Sequence, residues 1–82
     1  MKTVTVTLAD RPAEEIHRDF AEALAFPPYY GNNLDALYDA LTDICEDTEL
    51  CLLETETAEA ARFLRVAKDA AEENPFLTVT TE

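Results

Sequence analysis

The chain contains no serine and only one histidine, and these two shortages exclude several classes of enzyme and carrier. Without serine there is no nucleophile for a serine hydrolase, and no residue to carry the prosthetic arm of an acyl carrier protein. A single histidine is too few for a histidine-based metal site or a histidine-paired nucleophile. We therefore expect no serine-based or histidine-based catalysis, no metal and no cofactor, and we expect His17 on the surface of a helix.

Basic residues are also scarce: 18 Asp and Glu outnumber 6 Lys and Arg, which gives a formal net charge of −12. No Lys or Arg occurs between positions 19 and 61, whereas eleven acidic residues do. This charge repels phosphate, so it disfavours direct binding to nucleic acid or to an anionic membrane and favours a basic protein partner. The alternative is that the charge only keeps a small protein soluble.

The chain also lacks long hydrophobic runs and has only two cysteines. No stretch approaches the ~20 apolar residues of a membrane-spanning helix. The N-terminal segment alternates in hydropathy instead of forming the apolar run of a signal peptide, so we expect a cytoplasmic protein. There Cys45 and Cys51 are expected as free thiols, with Cys51 buried in an apolar strand. We expect one domain over residues 1–82, monomeric when free.

Three segments have the patterns of β-strands. Thr3–Leu8 and Phe76–Thr81 alternate between apolar and threonine side chains, as half-buried strands do, so their threonine faces are expected in solvent. Between them, Leu50–Leu53 is continuously apolar, which is typical of a central strand.

Three further segments have the spacing of amphipathic helices, with apolar residues three and four positions apart. The first is expected to end before two consecutive prolines, because the residue before a proline is pushed out of the helical region. The predicted N-caps and ranges are, in order, Asp10 for residues 10–26, Asn33 for residues 33–45 and Thr57 for residues 57–73.

The predicted order of elements is therefore β-α-α-β-α-β. Crossovers through helices favour parallel strands with right-handed connections. We predict an α/β fold, a two-layer domain in which about three helices pack mainly on one face of a three-stranded parallel sheet.

The segment Phe26–Leu41 holds most of the candidate binding residues. Two prolines are followed by Tyr29, Tyr30 and the only glycine of the chain, Gly31. The prolines restrict the backbone, Gly31 supplies conformational freedom, and Asn32 and Asn33 also tolerate unusual φ angles, which predicts a turn. Tyrosines beside a charged centre are typical of protein interfaces, although Tyr30 could equally be a core residue with its hydroxyl at the surface.

Asp35, Asp39 and Asp43 recur every four residues and so lie along one side of the second helix, beside Tyr38. Like charges at this spacing destabilise a helix by ~0.2–0.5 kcal/mol per pair. Asp43 also lies near the C-terminus, where the helix dipole opposes a negative charge. Because folding alone does not select this arrangement, we interpret the aspartates as a surface that binds cations on a partner.

Other interpretations of the aspartates are weaker or less specific. The plainest is a solvated helix face without a partner. Paired carboxylates can cleave glycosides, but that reaction needs a cleft and a carboxyl group in an apolar pocket, and an exposed row offers neither. Calcium binding is disfavoured because the chain has no D-x-D-x-D-G loop.

The run from Pro28 to Thr42 closely resembles the central motif of the barstar family of intracellular ribonuclease inhibitors. The shared pattern, Y-Y-G-x-N-L-D-A-L-x-D, is long and unusual, and a looser resemblance extends over the whole chain. It implies a parallel sheet of order 1-2-3 with helices on one side. It also implies a non-enzymatic immunity or antitoxin protein that forms a 1:1 complex with a basic extracellular or toxin ribonuclease.

The resemblance implies roles for individual residues as well. In that family the motif loop and the following helix block the nuclease active site, where acidic groups mimic RNA phosphate. Carried over by position, Asp39 enters the phosphate pocket and Tyr29 covers the catalytic histidine of the nuclease. The rest of the implied partner-binding patch consists of Tyr30, Gly31, Asn33, Leu34, Asp35, Tyr38, Thr42 and Asp43.

The chain departs from the family's well-known member at several positions. Tyr38 and Ile44 stand where that protein has tryptophans, and a short helix before the last helix is absent. Val66 occupies the position of an acidic contact, for which Asp43 and Glu46 could supply part of the charge. The inhibitor hypothesis does not name the nuclease. Its alternative is a general acidic interaction module, or a nucleic-acid mimic that binds a basic protein other than a nuclease.

Overall fold

A computed structural model describes residues 1–81 and contains three strands and three helices. In chain order they are β1 (Lys2–Thr7), α1 (Ala13–Leu24), α2 (Leu34–Thr42), β2 (Thr48–Leu53), α3 (Ala58–Glu73) and β3 (Leu77–Thr81). Within these residues, no helix combines the length and the apolar character needed to span a bilayer.

The strands form one parallel sheet in the order β1-β2-β3. Val4 pairs with Leu50, and Leu50 pairs with Val79; in the next row Thr5 pairs with Cys51. Because successive side chains of a strand point to opposite faces, the first row faces the helices and the second row faces away. The predicted α/β fold, with three parallel strands in the order 1-2-3, is confirmed.

One hydrophobic core lies between the sheet and the helices. α1 packs on β1, α3 packs on β3, and α2 packs mainly on α3. The leucine stripe of α2 is directed into this core, where Leu37 and Leu41 are fully buried. Burying a leucine side chain stabilises the fold by about 1.5–3 kcal/mol. This burial sets the rotation of α2 and turns its opposite side, with Asp35 and Asp39, toward solvent.

In the described part of the chain, no helix packs on the other face of the sheet. Thr3 and Thr5 are exposed there, as the alternation of β1 predicts. Cys51 lies on the same face and is half-buried, so the prediction of a buried Cys51 was wrong. A continuous apolar run indicates a central strand, but its burial also depends on whether both faces are covered.

The beginning of α1 also differs from the prediction. The helix begins after Pro12, which caps it without a side-chain hydrogen bond, and not at Asp10. The chain leaving β1 stays beside the end of β2, where the Ala9 amide donates to the Glu54 carbonyl over 2.9 Å. Asp10 is therefore part of the connection and cannot cap the helix.

The single histidine is buried: His17 is 3% exposed, so the predicted surface position was wrong. Its Nδ1 lies 2.7 Å from the Tyr30 hydroxyl, and its ring packs edge-on against Phe63 with the centroids 4.9 Å apart. Burial lowers the pKa of His17, while the charge of Glu59 opposes this by favouring the protonated form. The sequence held one signal of burial, since His17 lies three residues before the core residue Phe20.

We expect the lowered pKa of His17 to make the fold less stable in mild acid. The unfolded chain, whose histidine has the ordinary pKa of 6.5, binds a proton before the folded chain does. The stability that the fold gains by keeping His17 neutral is therefore fully present above pH 6.5 and is lost as the pH falls toward the folded-state pKa. The free energy of unfolding then changes by at most about 1.4 kcal/mol per pH unit. Denaturant unfolding between about pH 5.5 and 7.5 measures this slope.

A His17→Gln variant is the control, because it lacks the histidine and keeps every other ionisable group of the chain. The difference between the two proteins therefore measures the part of the pH dependence that comes from His17. The free energy of unfolding of the variant is expected to change less with pH than that of the wild type. Identical slopes in the two proteins would contradict the assignment to His17.

Candidate partner-binding site

A turn between α1 and α2 supplies the first part of the site. Ala25 adopts a left-handed conformation at the end of α1, and the Tyr30 amide donates to the Pro27 carbonyl over 3.0 Å. Besides Ala25, the turn has a positive φ at Asn32, 51°, whereas Gly31 has none. Gly31 instead supplies space, because a Cβ there would lie 3.3 Å from Nδ2 of Asn33. The predicted turn is present, but the predicted role of the glycine was wrong.

Asn33 joins this turn to α2, as predicted for an N-cap. Its Oδ1 accepts a hydrogen bond from the Ala36 amide at 2.8 Å, and its Nδ2 donates to the Gly31 carbonyl at 3.2 Å. Such a cap stabilises a helix by about 1 kcal/mol. Both polar ends of the Asn33 side chain are thus used within the protein.

The two adjacent tyrosines have different environments. Tyr29 is 86% exposed, whereas Tyr30 is half-buried and packs on Phe26 with the ring centroids 4.9 Å apart. The Tyr30 hydroxyl contacts Nδ1 of His17, and burial raises its pKa to about 12. Tyr30 therefore attaches the turn to the core, and Tyr29 remains free to contact another molecule.

The aspartates of α2 form an exposed and uncompensated row. Asp35, Asp39 and Asp43 are all exposed, and in residues 1–81 the ion pairs of Arg11 and Arg62 do not involve them. They are one helical turn apart, a rise of about 6 Å from each to the next. The row therefore presents carboxylates that form no ion pair within residues 1–81, although Lys2 lines the same groove as Asp39 and Asp43.

A groove of about 500 Å³ lies between the turn and α2. Its apolar lining includes Phe26 and Ile44 together with Ala36 and Ala40, two small residues on one side of α2. Sequence reasoning did not assign these residues to the site, although two alanines four positions apart were a signal of open space beside the helix. The groove can accept side chains that protrude from a partner.

The groove brings together half of the residues predicted for partner binding and adds one acid. Tyr29, Tyr30, Gly31, Asp39 and Asp43 line it, and Glu46 extends its acidic rim. The others lie outside it, at the N-cap or on other sides of α2: Asn33, Leu34, Asp35, Tyr38 and Thr42. The Thr42 hydroxyl donates to the Asp39 carbonyl at 2.9 Å, so it is already satisfied within the helix.

α2 ends earlier than predicted. Its last residue is Thr42, and the predicted extension to Cys45 was wrong. The chain tightens there, where the Ile44 amide donates to the Leu41 carbonyl three residues back at 3.4 Å. A side chain from the end of α3 binds at the same place, because Asn74 Nδ2 donates to the carbonyls of Leu41 and Ile44. The sequence indicated Asn74 only as the end of a helix.

No group of three or more His, Cys, Asp or Glu within residues 1–81 is placed to hold a metal ion. The exposed carboxylates, the exposed tyrosine and the groove are instead suited to recognition of a cationic surface.

Comparison with known proteins identifies the family. Residues 1–79 match the family model described as Barstar (barnase inhibitor). The chain is also similar to "Putative ribonuclease inhibitor YrdF" of Bacillus subtilis (strain 168), with 59% identity over 29 residues. That alignment covers 35% of this chain and 32% of the relative, so it spans only about a third of either protein. The family match covers nearly the whole sequence, and this chain belongs to the barstar family.

Proposed function

We propose that this protein is an intracellular inhibitor of a basic ribonuclease, in an immunity or antitoxin role. The observation that carries the proposal is the exposed row of unpaired aspartates beside the exposed Tyr29, in a chain of the barstar family. A ribonuclease concentrates Arg, Lys and His where it binds RNA phosphate. Carboxylates on a protein surface can occupy such a site without being cleaved.

The proposed mechanism is occlusion of the nuclease active site. Asp39 lies on the groove together with Asp43 and Glu46. Its position in the family motif supports Asp39 as the acid that meets the phosphate-binding cations. Tyr29 supplies a rigid aromatic surface that can cover a neighbouring side chain of the nuclease. Asp35 and Asp43 flank Asp39 by one turn on either side and meet cations nearer the edge of the contact.

Charge and packing make separate contributions to such a complex. A net charge of −12 attracts a basic partner over long distances and speeds the encounter. Once the surfaces meet, buried charge pairs and contacts in the groove control how slowly the complex dissociates.

Replacing Asp39 with alanine is expected to weaken inhibition strongly. Removal of one member of a buried charge pair costs about 2 kcal/mol or more, because it leaves the partner cation buried and unpaired. The Kd for the nuclease should therefore rise at least about 30-fold. The measurement is a titration of RNA cleavage by a small panel of basic microbial ribonucleases.

Asp69→Ala is the matched control, since Asp69 is an exposed aspartate of α3 and its loss changes the net charge by the same amount. We expect its effect on the Kd to stay within about threefold. Equal and small losses from both variants would reject the proposed site, and a panel without any inhibition by the wild type would count against the function.

Salt is expected to act mainly on the association rate. Exposed charges more than about 8 Å apart are largely screened at physiological ionic strength and above, whereas a packed interface excludes the salt. Between about 0.05 and 0.5 M NaCl the association rate should fall at least about tenfold, and the dissociation rate should change much less. Stopped-flow fluorescence measures both rates. Complete loss of binding at the higher salt would instead indicate diffuse attraction, as expected of a general acidic interaction module.

A further inference from the structure

A buried asparagine, Asn74, binds the end of α2 and the residues that follow it. This segment, residues 41–46, carries Asp43 and Glu46 and is called here the acidic end of α2. Asn74 is 4% exposed, and its Nδ2 lies within hydrogen-bond distance of three main-chain carbonyls, those of Leu41 at 3.0 Å, Thr42 at 3.3 Å and Ile44 at 2.9 Å. Because the amide has two hydrogens, one of them is shared between two carbonyls. More than thirty positions separate Asn74 from Leu41 and Thr42, so the contact ties together two distant parts of the chain.

The carbonyls of Leu41 and Thr42 belong to the last turn of α2, and that of Ile44 follows it. A long main-chain bond of 3.4 Å, from the Ile44 amide, also reaches the Leu41 carbonyl. The last carbonyls of a helix have no amide of their own helix to bind, and an unpaired polar group in a buried place costs about 1–3 kcal/mol. α2 has only nine residues, and isolated helices of that length are marginal in water. Without Asn74, the end of α2 would lose the bonds that stop it from fraying.

Asn74 is itself held firmly on the α3 side. Its main-chain amide donates to the Ala70 carbonyl at 2.9 Å, where it caps α3. Its Oδ1 accepts from the Phe76 amide at 2.9 Å, and its carbonyl accepts from the Leu77 amide at 3.1 Å. These bonds fix the Asn74 side chain in one orientation, with Nδ2 directed toward the end of α2.

The segment whose carbonyls Asn74 binds, residues 41–44, runs into the groove at Asp43 and Ile44. Asp43, between the bonded residues Thr42 and Ile44, is on the groove rim with Asp39, and Ile44 is part of the apolar lining. The position of the Asp43 carboxylate relative to Asp39 therefore depends on where Asn74 holds the main chain. Asn74 is too deeply buried to touch a partner itself.

We propose that Asn74 is a positioning residue for partner binding, which presents the acidic end of the groove in one fixed arrangement. The inference rests on the proposed function, because the affinity that it controls is affinity for a basic nuclease. A fixed acidic end also lowers the conformational entropy lost when the partner binds.

The test is Asn74→Asp, a replacement of almost the same shape. It keeps an oxygen to accept from the Phe76 amide but turns the donor into a second acceptor that faces three carbonyls. We expect the Kd for a nuclease that the wild type inhibits to rise about tenfold or more, after correction for the folded fraction. Asn74→Ala, which removes the donor without adding charge, takes its place if the Asp variant does not fold.

Thr57→Ala is the matched control for lost stability. Thr57 caps the other end of α3 by accepting from the Ala60 amide, and its hydroxyl also donates to the Ala9 carbonyl. Removal of the Thr57 side chain is expected to lower the free energy of unfolding by about 1 kcal/mol, at a place away from the groove. The Kd of this variant is expected to stay within about twofold of the wild type.

Amide hydrogen exchange supplies a readout that does not need a nuclease. In Asn74→Asp we expect faster exchange confined to residues 41–46, and in Thr57→Ala no change there. Unchanged protection of 41–46, or a Kd like that of the wild type in a folded Asn74 variant, would overturn the inference.

If Asp39→Ala loses inhibition and the Asn74 variants do not, the proposed function stands and the role of Asn74 fails. If the wild type inhibits no nuclease, the proposed function fails, and exchange at 41–46 still decides whether Asn74 holds the acidic end.

Discussion

The burial of Leu37 and Leu41 is the constraint on which the rest of the site depends. An α-helix turns 100° per residue, so the two leucines determine the direction of every other side chain of α2. With these leucines packed against α3 and the sheet, Asp35 and Asp39 must face solvent. A rotation of α2 by one residue would expose leucines and move the aspartates toward the apolar core, at a cost of several kcal/mol.

Both ends of α2 are fixed by contacts outside the helix. At its start, Asn33 caps the first turn, and Tyr30 attaches the preceding loop to the buried His17. At its end, Asn74 binds the last carbonyls. A short helix held at both ends has little conformational freedom to lose, and in the proposed complex such preorganisation would convert more of the contact energy into affinity.

The acidic surface lowers the stability of the fold. The aspartates of α2 repel one another, and no cation among residues 1–81 forms an ion pair with them. Because they are exposed to water, the repulsion amounts to only a few tenths of a kcal/mol per pair. The buried core tolerates this cost, and the unpaired charge remains available to a basic partner. Binding surfaces commonly sacrifice some stability in this way.

Much of this architecture was determined by the sequence itself. Alternation predicted β1 and β3, Asn33 and Thr57 were correctly predicted as caps, and the leucine spacing oriented α2. These features depend on interactions between residues only a few positions apart. Tertiary structure decided the burial of His17, the partial exposure of Cys51 and the hydrogen bonds of Asn74. Their surroundings come from segments distant in the chain, so local patterns do not determine them; even for His17, the spacing from Phe20 indicated only the side of the helix and not what covers it.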